Sequence, residues 1–189
     1  MEVDAHVVCF LFGLRPTLGA TFRIREQHSD IRLLSLSRRV GIEVRGIAKP
    51  ILGRFAEELR CTAILNVVDG EEVVCLVSVE PTSSGVRVAH REGQRHALSR
   101  GASGIAAAAA LPHRPGERRA VTAARHVGYA VSHAEVAPGT VAASAPLSLA
   151  SHDWTGAVSL LFADALAPTP ADAGRAVKEA ARLIGEAAA

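Results

Sequence analysis

The stretch that most constrains the fold is residues 62–79. Thr62 to Val68 is apolar and rich in β-branched residues, Asp69-Gly70 is a turn signal, and Val73 to Val79 is a second apolar run. Two such runs joined by so short a connection read as an antiparallel β-hairpin. The rest of the chain must be arranged around that hairpin.

Upstream, Gly13, Pro16 and Gly19 interrupt any long period, and residues 1–28 read as a strand fragment and a loop. Ser29-Asp30 is a helix start. After it, apolar residues recur at Ile31, Leu34, Val40, Val44, Ile47, Ile51, Phe55 and Leu59, spacings of three and four that predict an amphipathic helix. Pro50 lacks an amide donor and is expected to split or kink it, leaving a connecting helix followed by one packed on the domain.

Downstream, the loop from Pro81 to Gly85 precedes a third, half-exposed strand, read from Val86 and Val88 alternating with Arg87 and His90. The run Ala106 to Ala110 predicts a helix over 102–111 that packs in tight contact. Pro112 to Gly116 is a loop, Glu117 to Val127 a short helix, and Gly128 stands where a left-handed C-cap belongs. Strands follow at Tyr129–Ser132, Thr140–Leu147 and Ala157–Phe162. Thr169-Pro170-Ala171-Asp172 supplies an N-cap, a first-turn proline and an early acid for a last helix reaching about Glu186. Its apolar face is Ala173, Val177, Ala180, Ala181 and Ile184. The order α, β, β, β, α, α, β, β, β, α predicts an α+β fold, an antiparallel sheet flanked by helices.

Composition narrows the functions available. A chain of 189 residues and 19.7 kDa fits one domain with a helical extension. With 49% apolar and 21% charged residues it is not a disordered polymer, and one Trp and one Tyr cannot build stacking platforms for single-stranded nucleic acid. A net charge of +2 provides no global attraction to DNA. Arg15 to Arg54 is locally basic and reads as a solvated helix face before a nucleic-acid contact.

Cys9, Cys61 and Cys75 are odd in number and form no C-x-x-C pair, which excludes a disulfide framework or zinc knuckle and fits a reduced cytoplasm. Val7 to Phe12 is too short to cross a bilayer and follows no basic segment, so the protein is expected to be soluble, cytoplasmic and without membrane partners. His90, His96, His113, His126, His133 and His152 lack metal-ligand spacing. Cys75 lies in mid-strand as a small buried residue, no G-x-S-x-G elbow is present, and Gly101 to Gly104 lacks a P-loop lysine. Neither cofactor nor metal is expected.

Four segments carry a resemblance. They are the hairpin ending Val67-Val68-Asp69-Gly70-Glu71-Glu72-Val73; the loop Gly93 to Gly104; Gly128-Tyr129-Ala130-Val131-Ser132 with Glu135; and Gly139 through Pro146. In this order and spacing, the chain from about Ile47 onward resembles the effector-binding domain of the IclR family of transcriptional regulators, whose fold is GAF-like. The resemblance divides the chain into an N-terminal remnant with a linker or oligomerisation helix, 1–46, and an effector-binding domain, 47–189. Phe12-Gly13-Leu14 with Leu18-Gly19 resembles the end of the family's winged helix and the start of its linker, and Ile31 to Gly46 the linker helix. The complete winged helix is expected to be lacking, so DNA is a partner only if one is supplied upstream.

The resemblance also implies where a ligand sits. Arg100-Gly101-Ala102-Ser103-Gly104 opens a helix, so backbone amides and the positive dipole end face a ligand across small side chains, a geometry suited to a carboxylate. Positions matching the family's contacts are Ser132, Thr140, Ala142 and Ser159, with Leu98, Ala102 and Val131 as apolar wall. Where the family has Pro-Leu-His and Gly-Lys, this chain has Ala97-Leu98-Ser99 and Gly104-Ile105. Arg91, Arg95 and Arg100 surround the loop, either solvated or with one pairing an anionic effector.

The expected function is the sensing part of an IclR-type regulator. It would bind a small organic acid or aromatic metabolite, close the 93–104 loop over the sheet, and change the packing of a homodimer or homotetramer to control transcription. Two alternatives stand beside it: a binding or dimerisation module without DNA binding of its own, and a small enzyme acting on an organic acid. The enzyme is disfavoured because the matched positions, Ser, Thr and Ala, provide no ionisable pair.

Overall fold

The hairpin forms where the sequence predicts it. In the computed structural model, which describes residues 29–83, 88–152 and 154–189 with side chains from Glu43 onward, Thr62–Asp69 is strand β1 and Glu72–Val79 is β2. Asp69 pairs with Glu72, so the turn centres on Gly70 and Glu71, one residue later than read, and Gly70 takes the left-handed φ of 61° that such a turn requires. The first dozen residues and the expected strand and loop over 1–28 lie outside the described residues.

Before the hairpin runs helix α1, Ser29–Leu59; after it come β3 (Arg95–Ala97), α2 (Gly101–Ala110), α3 (Arg119–Val127), β4 (Ala130–His133), β5 (Thr140–Leu149), β6 (Trp154–Ala163) and α4 (Pro170–Ala187). The element order matches the expectation. The six strands form one antiparallel sheet in the order β3-β2-β1-β6-β5-β4. The last strand of the sequence therefore lies beside the first.

Two expectations are corrected. The third strand is not at 86–90: residues 84–87 lie outside the described residues, and 88–90 are not strand. The strand is Arg95–Ala97, whose Arg95, His96 and Ala97 pair with Val74, Val73 and Glu72. Three residues at a sheet edge, one of them a histidine, leave no alternating pattern to read. The second correction concerns the splitting of the helix at Pro50, which lies within a continuous α1. Its missing N–H costs one intrahelical bond, but Val44 and Ala48 before it and Leu52, Phe55 and Ala56 after it are buried in the same core. At about 1.5–3 kcal/mol per large apolar side chain, that burial outweighs the lost bond.

The sheet separates two apolar layers. On one face α1 and α4 pack against Ala63, Leu65, Ala143, Ala145, Leu147, Val158, Leu160 and Phe162. All five α4 positions predicted as its apolar face are buried there. On the other face lie α2 and α3, where Ala106 and Ala107 pack with Val73, Leu98 and Ala157, and Ala102, Ile105 and Ala109 with Val121, Ala124 and Ala130. The alanine run is thus a close helix–sheet contact, as its small side chains allow. Residues 36–189 form one compact unit.

Caps end the helices at the expected residues. Gly128 closes α3 with φ 82°, its N–H bonding the Ala124 carbonyl at 2.8 Å. Thr169 caps α4 by accepting the Asp172 N–H at 3.2 Å. Thr169→Ala is expected to lower stability by about 1 kcal/mol in a urea titration; an unchanged midpoint would show the cap to be redundant with Asp172.

A register slip gives the α2 face its polar character. Leu65 pairs with Val77 but Asn66 with Cys75, leaving Leu76 as the unmatched residue of a bulge. Past it the strand's inward residues change sides. Val77 joins Leu65 in the α1 core, whereas Cys75 joins Ile64 and Leu161 on the opposite face.

Candidate functional site

Under the N-terminal end of α2, that opposite face holds a cavity of about 40 Å³. Period-two alternation brings its floor together: Ile64 and Asn66 from β1, Ser159 and Leu161 from β6, Thr140 and Ala142 from β5, and Ser132 from β4. Ala102 and Ser103 of α2, His90, His96, and the strap of residues 134–137 that follows β4 complete the wall.

The floor offers hydrogen to a ligand. Ser159 Oγ accepts from Asn66 Nδ2 at 3.0 Å and from Ser144 Oγ at 2.7 Å, and all three residues are buried. Since a hydroxyl accepts twice and donates once, the Ser159 proton remains available. Ser132 Oγ likewise accepts the Ala102 N–H at 2.8 Å, and among the described residues no acceptor takes its proton. Thr140 differs: its hydroxyl donates to the Ala137 carbonyl at 2.7 Å and pins the strap to β5.

At the mouth, His96 Nδ1 lies 3.1 Å from the Ala97 carbonyl and Nε2 2.9 Å from Ser103 Oγ. A carbonyl only accepts, so Nδ1 carries a proton. His90 makes no hydrogen bond among the described residues; burial, with His96 nearby, pushes its imidazole below the ordinary 6.5. The Cys75 thiol behind the floor is buried, and that burial pushes it up to about 12, which rules out a thiolate nucleophile at neutral pH.

The first two helix amides are already occupied. Gly101 N–H donates to Glu135 Oε2 at 2.9 Å and Ala102 N–H to Ser132, so the positive end of α2 holds the protein's own carboxylate. Arg100 sends its guanidinium to the Glu135 carbonyl at 2.6 Å. The strap rests directly on the helix: at Gly101, with φ 68°, an added Cβ would lie 2.6 Å from Val136 Cγ2.

Of the residues expected in the site, the cavity brings together Ala102, Ser103, Ser132, Thr140, Ala142 and Ser159. Leu98, Arg100, Gly101 and Val131 are not on its wall: Leu98 is buried with Val73 and Ala106, and Val131 packs towards the α1 core. Arg95 bridges Asp69 at 2.8 Å and Glu72 at 3.0 Å on the surface, away from any ligand. Asn66, His90, His96 and the strap were missed. Only Asn66 left a signal, a lone amide in an otherwise apolar, β-branched strand. His90 and the strap sit in irregular segments without a period, and His96 in a three-residue edge strand too short to show one.

The elements and their order define an α+β domain with helices on both faces of an antiparallel sheet. More particularly, the fold is that of the IclR-family transcriptional regulators. An IclR regulator from Alicyclobacillus acidocaldarius matches with 24% identity and a TM-score of 0.67, over 84% of this chain and 74% of that one. The Thermotoga maritima IclR matches with 22% identity and a TM-score of 0.67, over 82% and 73%. An IclR homologue from Microbacterium hydrocarbonoxydans, complexed with 4-hydroxybenzoate, matches with 19% identity and a TM-score of 0.65, over 78% and 69%. These neighbours are transcriptional regulators rather than enzymes. No protein-family profile matches the sequence, and no curated protein does. Among the described residues no helix is long and apolar enough to cross a membrane.

Proposed function

We propose that this chain is the effector-sensing part of an IclR-type transcriptional regulator, and that its cavity binds a small organic acid. The observation that carries the reading is the pair of buried hydroxyls, Ser132 and Ser159, whose protons remain available on the floor of a cavity under α2. Hydrogen donors that the protein itself does not use suit a ligand presenting oxygen acceptors. The 4-hydroxybenzoate held by a protein of the same fold supports an acid of this kind.

At about 40 Å³ the cavity is far below the ~300 Å³ of a typical ligand site, so an aromatic acid needs the cover to move. The part to move is the 134–137 strap, joined to α2 through Glu135 and to β5 through Thr140. Movement there would reach the packing of two or four copies and thence transcription, with DNA bound through a winged helix supplied upstream. From Val44 onward the apolar face of α1 is spent on the chain's own core. The side chains of Ile31, Leu34 and Val40, the rest of the face expected to mediate self-association, lie outside the described residues.

A thermal-shift screen with small carboxylates and aromatic acids tests the site. A ligand at 100 times its Kd should stabilise the wild type by about 2.7 kcal/mol, or roughly 5–10 °C at this chain length. Ser159→Trp should fill the cavity and show no shift. Equal shifts in both proteins, or none with any acid, would refute the assignment.

A further inference from the structure

We infer that the cavity takes up its acid together with a proton, and that His90 is the residue that receives it. The inference rests on the carboxylate reading of the site. It follows from the charges on the wall. Among the described residues no Lys or Arg lines the cavity, and the ionisable groups on its wall are His90, His96 and Glu135. Arg100 is engaged outside, on the Glu135 carbonyl.

An entering carboxylate would share a cavity of about 40 Å³ with the carboxylate of Glu135. Two like charges that close, without a counter-charge, oppose binding strongly. Among the described lining residues, the imidazoles are the groups that can become cations. His96 has both ring nitrogens engaged, with Ala97 and Ser103, whereas His90 has neither engaged among the described residues. His90 is thus the ring free to turn an N–H towards a ligand.

The ionisable groups around His90 agree with this assignment. They are His96 on β3, which acts on it directly, and Glu135 on the strap, which shares the cavity wall; the Arg45–Glu92 ion pair, closed at 2.9 Å, acts on the neutral Cys75 thiol of β2. In the free protein, burial and His96 hold the His90 proton affinity down. An anion seated beside it reverses that balance, because it favours the charged ring. Linkage then sets the sign. His90 is neutral in the free protein above its lowered value and protonated in the complex up to a higher one, so affinity is greatest at low pH. It falls as pH rises through the complex's value, by up to about tenfold per unit for one proton.

Isothermal titration with benzoate and 4-hydroxybenzoate between pH 6 and 8, in two buffers of different ionisation heat, reads this directly. Both carboxylates are fully ionised across that range. The expected result is uptake of close to one proton and affinity falling towards pH 8, with both effects lost in His90→Gln. In the wild type, the ring C–H resonances of His90 should titrate at a higher pH when benzoate is bound, a measurement that needs no variant. Binding with pH-independent affinity, or with an unchanged slope in His90→Gln, would overturn the inference and leave the carboxylate site standing. Binding of neither acid at any pH would overturn both.

Discussion

Gly156→Ala should prevent the domain from folding. Gly156 lies in β6 at the centre of the sheet, paired with Val67 of β1 on one side and Leu147 of β5 on the other. A Cβ there would run into the Asn66 carbonyl oxygen, would lie 2.8 Å from the Asn66 carbonyl carbon, and would crowd Trp154 Cη2 at 3.0 Å. The obstacle is backbone, held by ladder bonds to both neighbours, so no rotamer change relieves it. Overpacking of this kind costs about 1–3 kcal/mol where side chains can yield and more where they cannot; about 4 kcal/mol or more is expected, a large share of a typical domain's stability. Urea unfolding followed by circular dichroism should show the cooperative transition lost or moved to very low denaturant. A wild-type midpoint would mean that β1 and β6 can separate locally, against the register described.

The second large effect is expected at Arg125, which ties α3 to the end of α2. Its guanidinium donates to the carbonyls of Ala109 and Leu111 at 2.7 Å each and of Ala108 at 3.1 Å, and to both Glu117 oxygens. These carbonyls lie at the C-terminal end of α2, where intrahelical donors run out and, among the described residues, only Ala108 is otherwise bonded, by the Leu111 N–H at 3.2 Å, and α2 has no basic residue of its own in its last turn. Arg125→Met keeps much of the stem but removes every donor. It should cost about 2–3 kcal/mol, a fall in Tm of roughly 5–10 °C.

The same contact has a pH signature. The Arg125 guanidinium, helped by His113, holds the Glu117 carboxyl down at about 2 from the ordinary 4.5. The folded-state value is the lower one, so the contribution is complete above 4.5 and is lost as pH falls towards 2. Wild type should lose stability across that window, and Arg125→Met should lose less. Identical acid profiles would show that Arg125 does not hold Glu117.

The contrast between these sites shows what a sequence makes legible. The hairpin at 62–79, the alanine helix, the Gly128 cap and the Thr169 cap are local, since each depends on residues within one turn or one hairpin. They could be read from spacing alone. Pro50 does not split α1, because tertiary burial of Val44 and Leu52 on either side holds the helix continuous, which local propensity does not contain. The third strand was misplaced because Arg95–Ala97 is short and lies at an edge. Its pairing with β2 holds it extended, and no pattern of its own does so.

The site divides in the same way. Ser132, Thr140, Ala142 and Ser159 were identified through resemblance, and alternation along β4, β5 and β6 puts them on one face. Asn66 and Ser159, 93 residues apart, meet only because β1 and β6 are neighbours in the sheet. Nor does any local rule say that Glu135 will reach the amide of Gly101. The sequence by itself determined the elements, their order and the small polar residues available, since these follow from periods and caps within a few residues. The tertiary structure decided which of those residues share a cavity, which helix amides are already taken, and which ionisable side chains stand on the cavity wall. Those outcomes depend on strand neighbours and register, set by long-range burial of the two faces of the sheet.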